Sequence, residues 1–246
     1  MLDPITNSLR ISRSLVILTG AGVSAESGIP TFRDALTGLW TRFNPEDLAT
    51  PQAFQHDPEL VSRWYDDRRL QCANCSPNPG HHALAQLEDH FTKTNRDFLL
   101  LTQNVDRLHH RAGSKRIKEL HGSLFLWRCL DCAEEREELG GPFPDHPPIC
   151  PCGGPRRPAV VWFGELLPAD VLDSAHAALK TCDTFMSLGT SAVVEPSASF
   201  IHQAAAHGAK TIEINLHPTP ISELVDYSLL GKTGEILPQI LARLTA

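Results

Sequence analysis

The most constraining feature of the sequence is an apolar run that leads directly into a glycine-rich loop. Leu15–Thr19 is followed at once by Gly20-Ala21-Gly22-Val23-Ser24-Ala25. In a G-x-G-x-x-A pattern after a strand, the first glycine permits a tight turn and the second lets backbone N–H groups approach a pyrophosphate. The pattern predicts an α/β fold with a dinucleotide at the end of its first strand. Taken alone, it is also compatible with a glycine-rich turn that holds no ligand.

Apolar runs and helical patterns alternate along the rest of the chain. Further buried strands are predicted at Phe98–Thr102, Ala159–Trp162, Thr184–Leu188 and Thr211–Ile214. Helical patterns lie between several of them, at His81–His90, Val105–Ala112, Ala169–Lys180 and Ser197–His207. Such alternation predicts a Rossmann-like parallel sheet with helices on both faces.

Two segments interrupt this alternation. Residues 35–78 contain helical patterns and no convincing strand, and residues 128–157 contain close cysteine pairs and a cluster of prolines. We expect them to form a smaller lobe, made of a helical insert and a zinc-binding module, on a large domain of residues 1–34, 79–127 and 158–246. Ligands of open α/β sheets bind beyond the carboxyl ends of the strands, so the cleft between the lobes is the expected site.

Composition excludes several classes of function. The chain has 246 residues and a formal net charge of −7, which argues against a nucleic-acid-binding face. No run approaches the length of a membrane span, and the apolar run near the N-terminus is too short for the core of a signal peptide. Together with the cysteine pattern, these features predict a cytoplasmic enzyme with reduced thiols.

The segment after the glycine loop argues against a dehydrogenase. A dehydrogenase would continue into a helix and a second strand that ends in an acidic residue. Here Gly28-Ile29-Pro30 predicts a loop instead. A dinucleotide is therefore compatible with the sequence, whereas the usual layout for hydride transfer is not. Gly231-Lys232-Thr233 does not complete a P-loop, because Asp226 occupies the position of the required earlier glycine.

A polar cluster follows the second predicted strand. Gln103, Asn104 and Asp106 lie at a carboxyl end, where a sheet of this type binds its ligand. One of them could simply cap a helix, but three adjacent amide and carboxylate groups exceed what capping requires. His121, directly before Gly122, is a candidate general base because the pKa of histidine lies near neutrality. Alone among twelve histidines it would be a weak candidate.

Four of the seven cysteines form two close pairs. Cys129/Cys132 and Cys150/Cys152 are separated by 17 residues, a spacing typical of a structural zinc site in which four thiolates leave no open position. Cys72/Cys75 is the rival pair, in a segment better interpreted as a helix end. The second pair is one residue shorter than usual, so its geometry needs a structural explanation. Cys182 is predicted to be a core residue.

These motifs, in this order, resemble the sirtuin family, and most closely its bacterial, desuccinylase-like class. The resemblance extends from about residue 9 to residue 240. It rests on Gly20–Arg33, Thr102-Gln103-Asn104-Val105-Asp106, His121-Gly122, the four cysteines, Val160–Glu165 and Gly189-Thr190-Ser191. It implies NAD-dependent removal of acyl groups from lysine side chains of proteins or peptides, giving nicotinamide, O-acyl-ADP-ribose and free lysine. NAD would be the co-substrate, one Zn²⁺ would be structural, and neither nucleic acid nor a membrane would be a partner.

The resemblance also implies roles for individual residues. His121 would be the catalytic base. The NAD phosphates, nicotinamide and its ribose would be bound by Gly20, Ala21, Gly22, Ser24, Ala25, Ile29, Phe32, Arg33, Gln103, Asn104, Val105 and Asp106. The adenosine half would be bound by Gly189, Thr190, Ser191, Asn215, Leu216, His217 and Thr233. The substrate backbone would pair as an added strand with Val161, Trp162, Phe163, Gly164 and Glu165.

One further match concerns the acyl group. Tyr65 and Arg68 are three residues apart and share one face of a predicted helix. By resemblance they would bind the distal carboxylate of succinyl- or malonyl-lysine, because a guanidinium and a phenol both donate to a carboxylate. The alternative is an ordinary helix surface. Glu195 departs from the aromatic residue common at its position, so the rim near the adenosine would differ.

Two other functions remain open at this point. Transfer of ADP-ribose to protein would use the same pocket with a different nucleophile. A non-catalytic module that binds NAD or zinc is disfavoured, because such a module has no need for His121 beside the Asn104 and Asp106 cluster.

Overall fold

The computed structural model describes residues 2–30 and 48–246. Nine strands lie in this part of the chain: β1 (Ser14–Thr19), β2 (Asp97–Thr102), β3 (Ile117–Glu119), β4 (Gly122–Cys129), β5 (Glu135–Glu137), β6 (Arg156–Val160), β7 (Thr184–Leu188), β8 (Lys210–Asn215) and β9 (Tyr227–Leu230). Its α-helices are α1 (Leu2–Ile11), α2 (Gly22–Ala25), α3 (Pro51–His56), α4 (Pro58–Asn74), α5 (Pro79–Lys93), α6 (Leu108–Ala112), α7 (Ala169–Leu179), α8 (Phe200–Ala206) and α9 (Thr233–Thr245).

Six strands form one sheet in the order β3-β2-β1-β7-β8-β9, and every pairing in it is parallel. In the central strands, Thr19 is in register with Thr102 on one side and with Leu188 on the other. These three residues end β1, β2 and β7. The loops that follow the three strands therefore start at the same level of the sheet.

Alternate side chains of the central strands enter two cores. Leu15 and Ile17 pack in a core with α1, α5 and α9, whereas Val16 and Leu18 pack in a second core with α7 and α8. Burial of each such side chain stabilises the fold by about 1.5–3 kcal/mol. Helices thus cover both faces of the sheet, as the alternation of the sequence predicts.

A second, antiparallel sheet has the order β5-β4-β6. It packs with α3 and α4 around a third core that includes Trp127, Tyr65 and Trp162. The predicted strand Ala159–Trp162 is located here rather than in the parallel sheet, and it ends at Val160. α3, α4 and the sheet β5-β4-β6 thus pack together in the part of the chain where the sequence predicts a smaller lobe. The division of the chain into 1–34, 79–127, 158–246 and the two inserts stays a prediction, and β4 and β6 cross the boundaries at 127/128 and 157/158.

The start of α5 is attached to the glycine loop. Asn78 caps α5 by accepting hydrogen bonds from Gly80 N at 2.9 Å and His81 N at 3.4 Å, and Pro79 occupies the first turn. The other side-chain atom of Asn78 donates to Val23 O at 2.7 Å. One buried amide therefore ends a loop, begins a helix and fixes the segment that follows β1.

In the part of the chain that the structure describes, no helix is both long and apolar enough to cross a membrane.

Candidate active site and cysteine cluster

The loops after β1 and β7 touch backbone to backbone. Gly20 N donates to Leu188 O at 3.0 Å, and Gly22 N donates to Gly189 O at 2.8 Å. A Cβ at Gly20 would lie 2.8 Å from Thr190 Cα, and one at Gly22 would lie 2.7 Å from Gly189 O. Only glycine fits at either position, so the two predicted glycines serve this close approach.

Asn104 and Asp106 close the same site from β2. Asn104 Nδ2 donates to Gly20 O and to Ser24 Oγ, both at 3.1 Å, and Ser24 Oγ donates to Asp106 Oδ2 at 2.7 Å. All three side chains are buried. Burial raises the pKa of Asp106, while the bond from Ser24 acts in the opposite direction. The predicted ribose-binding residues are thus one hydrogen-bonded unit.

Thr190 links this unit to the far end of the sheet. Gln103 Nε2 donates to Thr190 Oγ1 at 3.3 Å, and Asn215 Nδ2 donates to Thr190 O at 2.7 Å. Thr233 Oγ1 is buried and has no hydrogen-bond partner among the described residues. An unpartnered buried hydroxyl is costly unless a ligand contacts it. The predicted adenosine-binding residues therefore fit a polar ligand that reaches from β1 towards α9.

The other residues expected to bind NAD occupy varied positions. Ala21, Val105 and Ser191 are half-buried, whereas Ala25, Leu216 and His217 are exposed. Ile29 is buried in the core of the smaller lobe. Phe32 and Arg33 lie outside the described residues.

His121 lies between the two sheets, immediately after Leu120 and before β4. Its Nδ1 is 3.0 Å from Gln103 O. A carbonyl oxygen only accepts, so Nδ1 carries the proton and the Nε2 lone pair remains available to accept one. Burial lowers the pKa of His121, and the bond to Gln103 opposes this shift. His121 is therefore neutral and basic at physiological pH, as a general base must be.

Gly122 is fixed by its surroundings. Its φ is +72°, and a Cβ there would lie 2.0 Å from Ala159 O. The glycine after His121 thus permits the close pairing of β4 with β6.

The segment expected to pair with the substrate is a turn. Val161 N donates to His121 O and Phe163 N to Ala49 O, both at 2.9 Å. Trp162 N donates to Glu165 Oε2 at 2.9 Å, and the same carboxylate accepts from Arg157 at 2.6 and 3.0 Å. Three consecutive donors are engaged within the chain. The residues predicted to bind the substrate therefore lie together in one turn. The Glu165 carboxylate, however, binds Arg157 and Trp162 N and so stabilises the turn itself.

Tyr65 and Arg68 lie at the side of this turn. Tyr65 is buried, and its hydroxyl accepts from Trp162 Nε1 at 3.0 Å. Burial raises the pKa of Tyr65 to about 12, so the phenol keeps its proton. The half-buried Arg68 guanidinium is 4.6 Å from the centre of the Trp64 ring, and its charge opposes the increase that burial causes in the pKa values of Tyr65 and Asp106.

Two buried histidines contact each other close to Ser24. The sequence analysis does not predict this pair. The rings of His81 and His109 are 4.7 Å apart. His81 Nε2 is 3.4 Å from Ser24 Oγ, and His109 Nε2 is 3.0 Å from Thr19 Oγ1. Burial lowers the pKa of His81 to about 4 and that of His109 well below its usual value. Both rings are therefore neutral supports of the site.

The four predicted cysteines form one cluster. Their sulfurs lie within 4.8 Å of one another, with Cys129 and Cys152 at 3.5 Å and Cys132 and Cys150 at 3.7 Å. No other group of three or more potential ligands occurs among the described residues. Four sulfurs at this spacing fit one structural Zn²⁺.

The short second pair is accommodated by two glycines. Cys150 N donates to Gly154 O at 2.8 Å, and Gly153 N donates to Cys150 O at 2.9 Å. Gly153 has a φ of +94°, and a Cβ at Gly154 would lie 2.6 Å from an oxygen of Asp131. The tight turn brings both sulfurs to the cluster.

The remaining cysteines behave as structural residues. Cys72 and Cys75 lie at the end of α4, away from the cluster, and burial raises the pKa of Cys72 to about 12. Cys182 is buried, as expected.

Comparison with known proteins identifies the class to which this fold and site belong. The profile of the Sir2 family matches residues 20–196, so the chain belongs to the Sir2 family. This confirms the resemblance of its motifs to the sirtuins.

Two relatives match the sequence of this chain over nearly its whole length. An NAD-dependent protein deacylase of Pseudomonas aeruginosa is 49% identical and covers 94% of each chain. One of Aquifex aeolicus is 47% identical and covers 92% of this chain and 93% of its own.

Two solved structures match the fold of this chain over nearly its whole length. A Sir2 homologue in complex with ADP-ribose has a TM-score of 0.93 and 46% identity, covering 100% of this chain and 97% of that one. A Sir2 homologue in complex with NAD has a TM-score of 0.92 and 46% identity, covering 99% and 93%.

Proposed function

We propose that this chain removes acyl groups from lysine side chains of proteins in an NAD-dependent reaction. Its membership of the Sir2 family and its relatives named NAD-dependent protein deacylases support this function. The observation that carries the proposal is the position of His121. Its Nδ1 is held by the backbone of Gln103, next to Asn104 and Asp106, so its Nε2 is a base beside the proposed cofactor site.

Bound NAD supplies a ribose carbon that can lose nicotinamide. The glycine loops at Gly20 and Gly22 would bind its phosphates, and Asn104 with Asp106 would orient the nicotinamide ribose. His121 would remove a proton from a ribose hydroxyl, which activates that oxygen towards the acyl carbon. The acyl-lysine carbonyl must be held in line with the ribose carbon, and such positioning supplies much of the rate.

The test combines mass spectrometry of an acyl-lysine peptide with measurement of nicotinamide release. Wild type should deacylate the peptide only with NAD and should release nicotinamide in equal amount. His121→Ala should slow deacylation by about 10²–10⁴-fold, because a general base contributes a factor of this size. Circular dichroism should show that the variant remains folded.

Three results would contradict the proposal. Wild-type turnover by His121→Ala would exclude His121 as the base. Nicotinamide release with ADP-ribose attached to the protein acceptor would instead indicate a transferase. No release of nicotinamide at all would indicate a binding module.

We also propose that Tyr65 and Arg68 favour acyl groups that end in a carboxylate. Because Tyr65 Oη already accepts from Trp162, its own hydrogen remains to be donated. Arg68 adds a permanent charge beside it. Asp67 is exposed, Asp66 is buried in a pair with Arg69, and the carboxylate whose charge adds to the increase in the pKa of Tyr65 is that of Glu165, which is paired with Arg157.

Arg68→Met should therefore lower kcat/KM for a succinyl-lysine peptide far more than for the matched acetyl-lysine peptide. A charge-assisted hydrogen bond of about 1.5–3 kcal/mol corresponds to about 10- to 150-fold in kcat/KM. Arg63→Met is the control, since Arg63 lies on the same helix in an exposed pair with Glu59. Equal losses on both peptides would mean that Arg68 has only a structural role.

The cysteine cluster takes no part in the proposed chemistry. Cys129, Cys132, Cys150 and Cys152 would hold one Zn²⁺, and four sulfur ligands leave no position for substrate. Acyl-lysine proteins are the proposed partners. We also propose a cytoplasmic location, because the cluster requires reduced thiols.

A further inference from the structure

Arg156 is a buried charge beside the cysteine cluster. It begins β6 and pairs directly with Cys129 across the antiparallel sheet. Its side chain is only 4% exposed. Its Nη2 lies 3.4 Å from Cys150 Sγ and 3.1 Å from Glu134 Oε2. Nothing in the proposed reaction uses this guanidinium.

The surroundings of Cys150 explain why a cation is needed there. Cys150 Sγ lies 3.3 Å from Glu134 Oε2, and as a thiol it can donate its hydrogen to that carboxylate. A zinc ligand is a thiolate and has lost that hydrogen. In the metal-loaded protein, Cys150 and Glu134 are therefore two anions in contact. Arg156 Nη2 is the group that touches both.

We propose that Arg156 is the counter-charge of the metal site and controls how firmly the site holds its ion. Four thiolates around Zn²⁺ carry excess negative charge, and a guanidinium N–H bonded to one sulfur offsets part of it. The same bond withdraws electron density from Cys150. It therefore protects this sulfur from electrophiles that would extract it from the cluster.

Packing alone does not account for the arrangement. Arg156 Nη1 is buried and makes no hydrogen bond within residues 2–30 and 48–246. The polar interactions of the guanidinium tip are thus those of Nη2, with the sulfur and with the carboxylate. A residue that merely filled space in β6 would not need a charge at this position.

The experiment measures the rate at which the loaded protein transfers zinc to a chromophoric chelator. Neither NAD nor an acyl substrate is present, so the result is independent of the proposed deacylase activity. Arg156→Met should release zinc about 10- to 100-fold faster than wild type, the usual effect of losing a partner of a metal ligand. Alkylation of Cys150 by N-ethylmaleimide, followed by peptide mass spectrometry, should accelerate in parallel.

Glu134→Gln separates charge from packing. In wild type this change should alter zinc release little, because Arg156 remains on the sulfur. In the Arg156→Met background it should restore most of the lost retention, because the contact between two anions is gone. Arg136→Met is the matched control. Arg136 pairs with Glu138 in the same module at 3.3 Å but is 63% exposed, and its loss should leave zinc release unchanged.

Three results would overturn the proposal. Zinc release by Arg156→Met at the wild-type rate would show that the cluster needs no counter-charge. Equally fast release by Arg156→Met with and without Glu134→Gln would show that Arg156 acts through packing. If Arg156→Met does not fold, the equally uncharged Arg156→Gln is compared with and without Glu134→Gln, and the same criteria apply. A purified wild-type protein without zinc would also overturn it.

Discussion

At the scale of single residues, the site depends on two glycines, whose lack of a side chain lets two loops touch. The close approach of the β1 and β7 loops leaves no room for a Cβ at Gly20 or Gly22. Here Gly20 N and Gly22 N donate to Leu188 O and Gly189 O, so the two glycines serve this contact between loops, and phosphate binding stays a prediction of the pattern.

Gly22→Ala should lower both stability and affinity for NAD. Its Cβ would meet Gly189 O at 2.7 Å, so the backbone must shift, at a cost of about 1–3 kcal/mol. Urea unfolding and titration calorimetry with NAD measure the two effects. Gly140→Ala is the control, since a Cβ there meets nothing within 4 Å. Equal behaviour of the two variants would refute the steric argument.

Sequence reasoning finds the residues that a pattern marks and misses those that only burial makes important. Asn104 and Asp106 follow the predicted strand Phe98–Thr102, and their association in the structure agrees with that placement, whereas His121 follows no predicted strand and is marked by its residue type and by the family resemblance. His81 and His109 belong to helices, and no pattern indicates that their rings meet at a tilt beside Ser24. Such contacts depend on how distant elements pack, which local spacing does not encode.

At the scale of elements, α4 attaches the helical insert to the cysteine-bearing segment. Arg69, fully buried, binds Asp66 at 2.6 Å and donates to Glu138 O, Gly140 O and Gly141 O. Asp66 in turn accepts from Phe143 N at 2.9 Å. One turn of helix thus satisfies the backbone of a loop that has little regular structure of its own.

Arg69→Met should destabilise the protein by about 3–5 kcal/mol, because it removes the guanidinium from the buried Asp66 carboxylate, which then keeps only the Phe143 N–H and the His146 ring as neighbours. Arg63→Met, which breaks an exposed pair on the same helix, should cost about 0.5 kcal/mol. Urea unfolding of the two variants beside wild type gives both values. Comparable losses would show that burial of the pair does not matter.

Elements with strong periodicity are predictable, whereas short or polar ones are not. Strand Thr184–Leu188 agrees with its prediction at both ends, because all its residues are buried. β3 has three residues, all half-buried, and β9 ends in an exposed leucine, so neither gives an apolar run. The tertiary pairing with β2 and β8 makes them strands.

At the scale of the whole molecule, Arg107 joins the two sheets. It follows Asp106 with a left-handed φ of +60°. It pairs with Glu119 of β3 at 3.3 Å and also with Glu137 of β5. Burial raises the pKa of Glu119 to about 7, although the Arg107 charge lowers it, and Asp106 and Glu137 add to the increase. His110 is the other titratable neighbour, 3.5 Å from Glu119.

This raised pKa makes the stability of the protein depend on pH. Glu119 loses its proton near 4.5 in the unfolded chain and near 7 in the folded one. Between these values only the folded state holds the proton, so the contribution of Glu119 to the free energy of unfolding falls as pH rises. The difference is about 3–4 kcal/mol, complete above pH 7.

Glu119→Gln should remove the pH-dependent contribution of Glu119 to the free energy of unfolding. The stability of wild type relative to Glu119→Gln should therefore decline from pH 4.5 to 7, which urea unfolding at several pH values can measure. Glu137→Gln, which changes the exposed partner of Arg107, should preserve the decline. A constant difference between wild type and Glu119→Gln would show that Glu119 ionises normally.

His121 is bound to both sheets at once. Its ring is held by the loop after β2, and its carbonyl oxygen accepts from Val161, just beyond the end of β6. His121 thus connects the loop after β2 with the turn after β6, so a shift of either one moves the other. A ligand that stabilises the loop after β2 or the turn after β6 should slow deuterium exchange at the Val161 amide. Exchange of that one hydrogen therefore reports on the position of His121 without a label on the histidine.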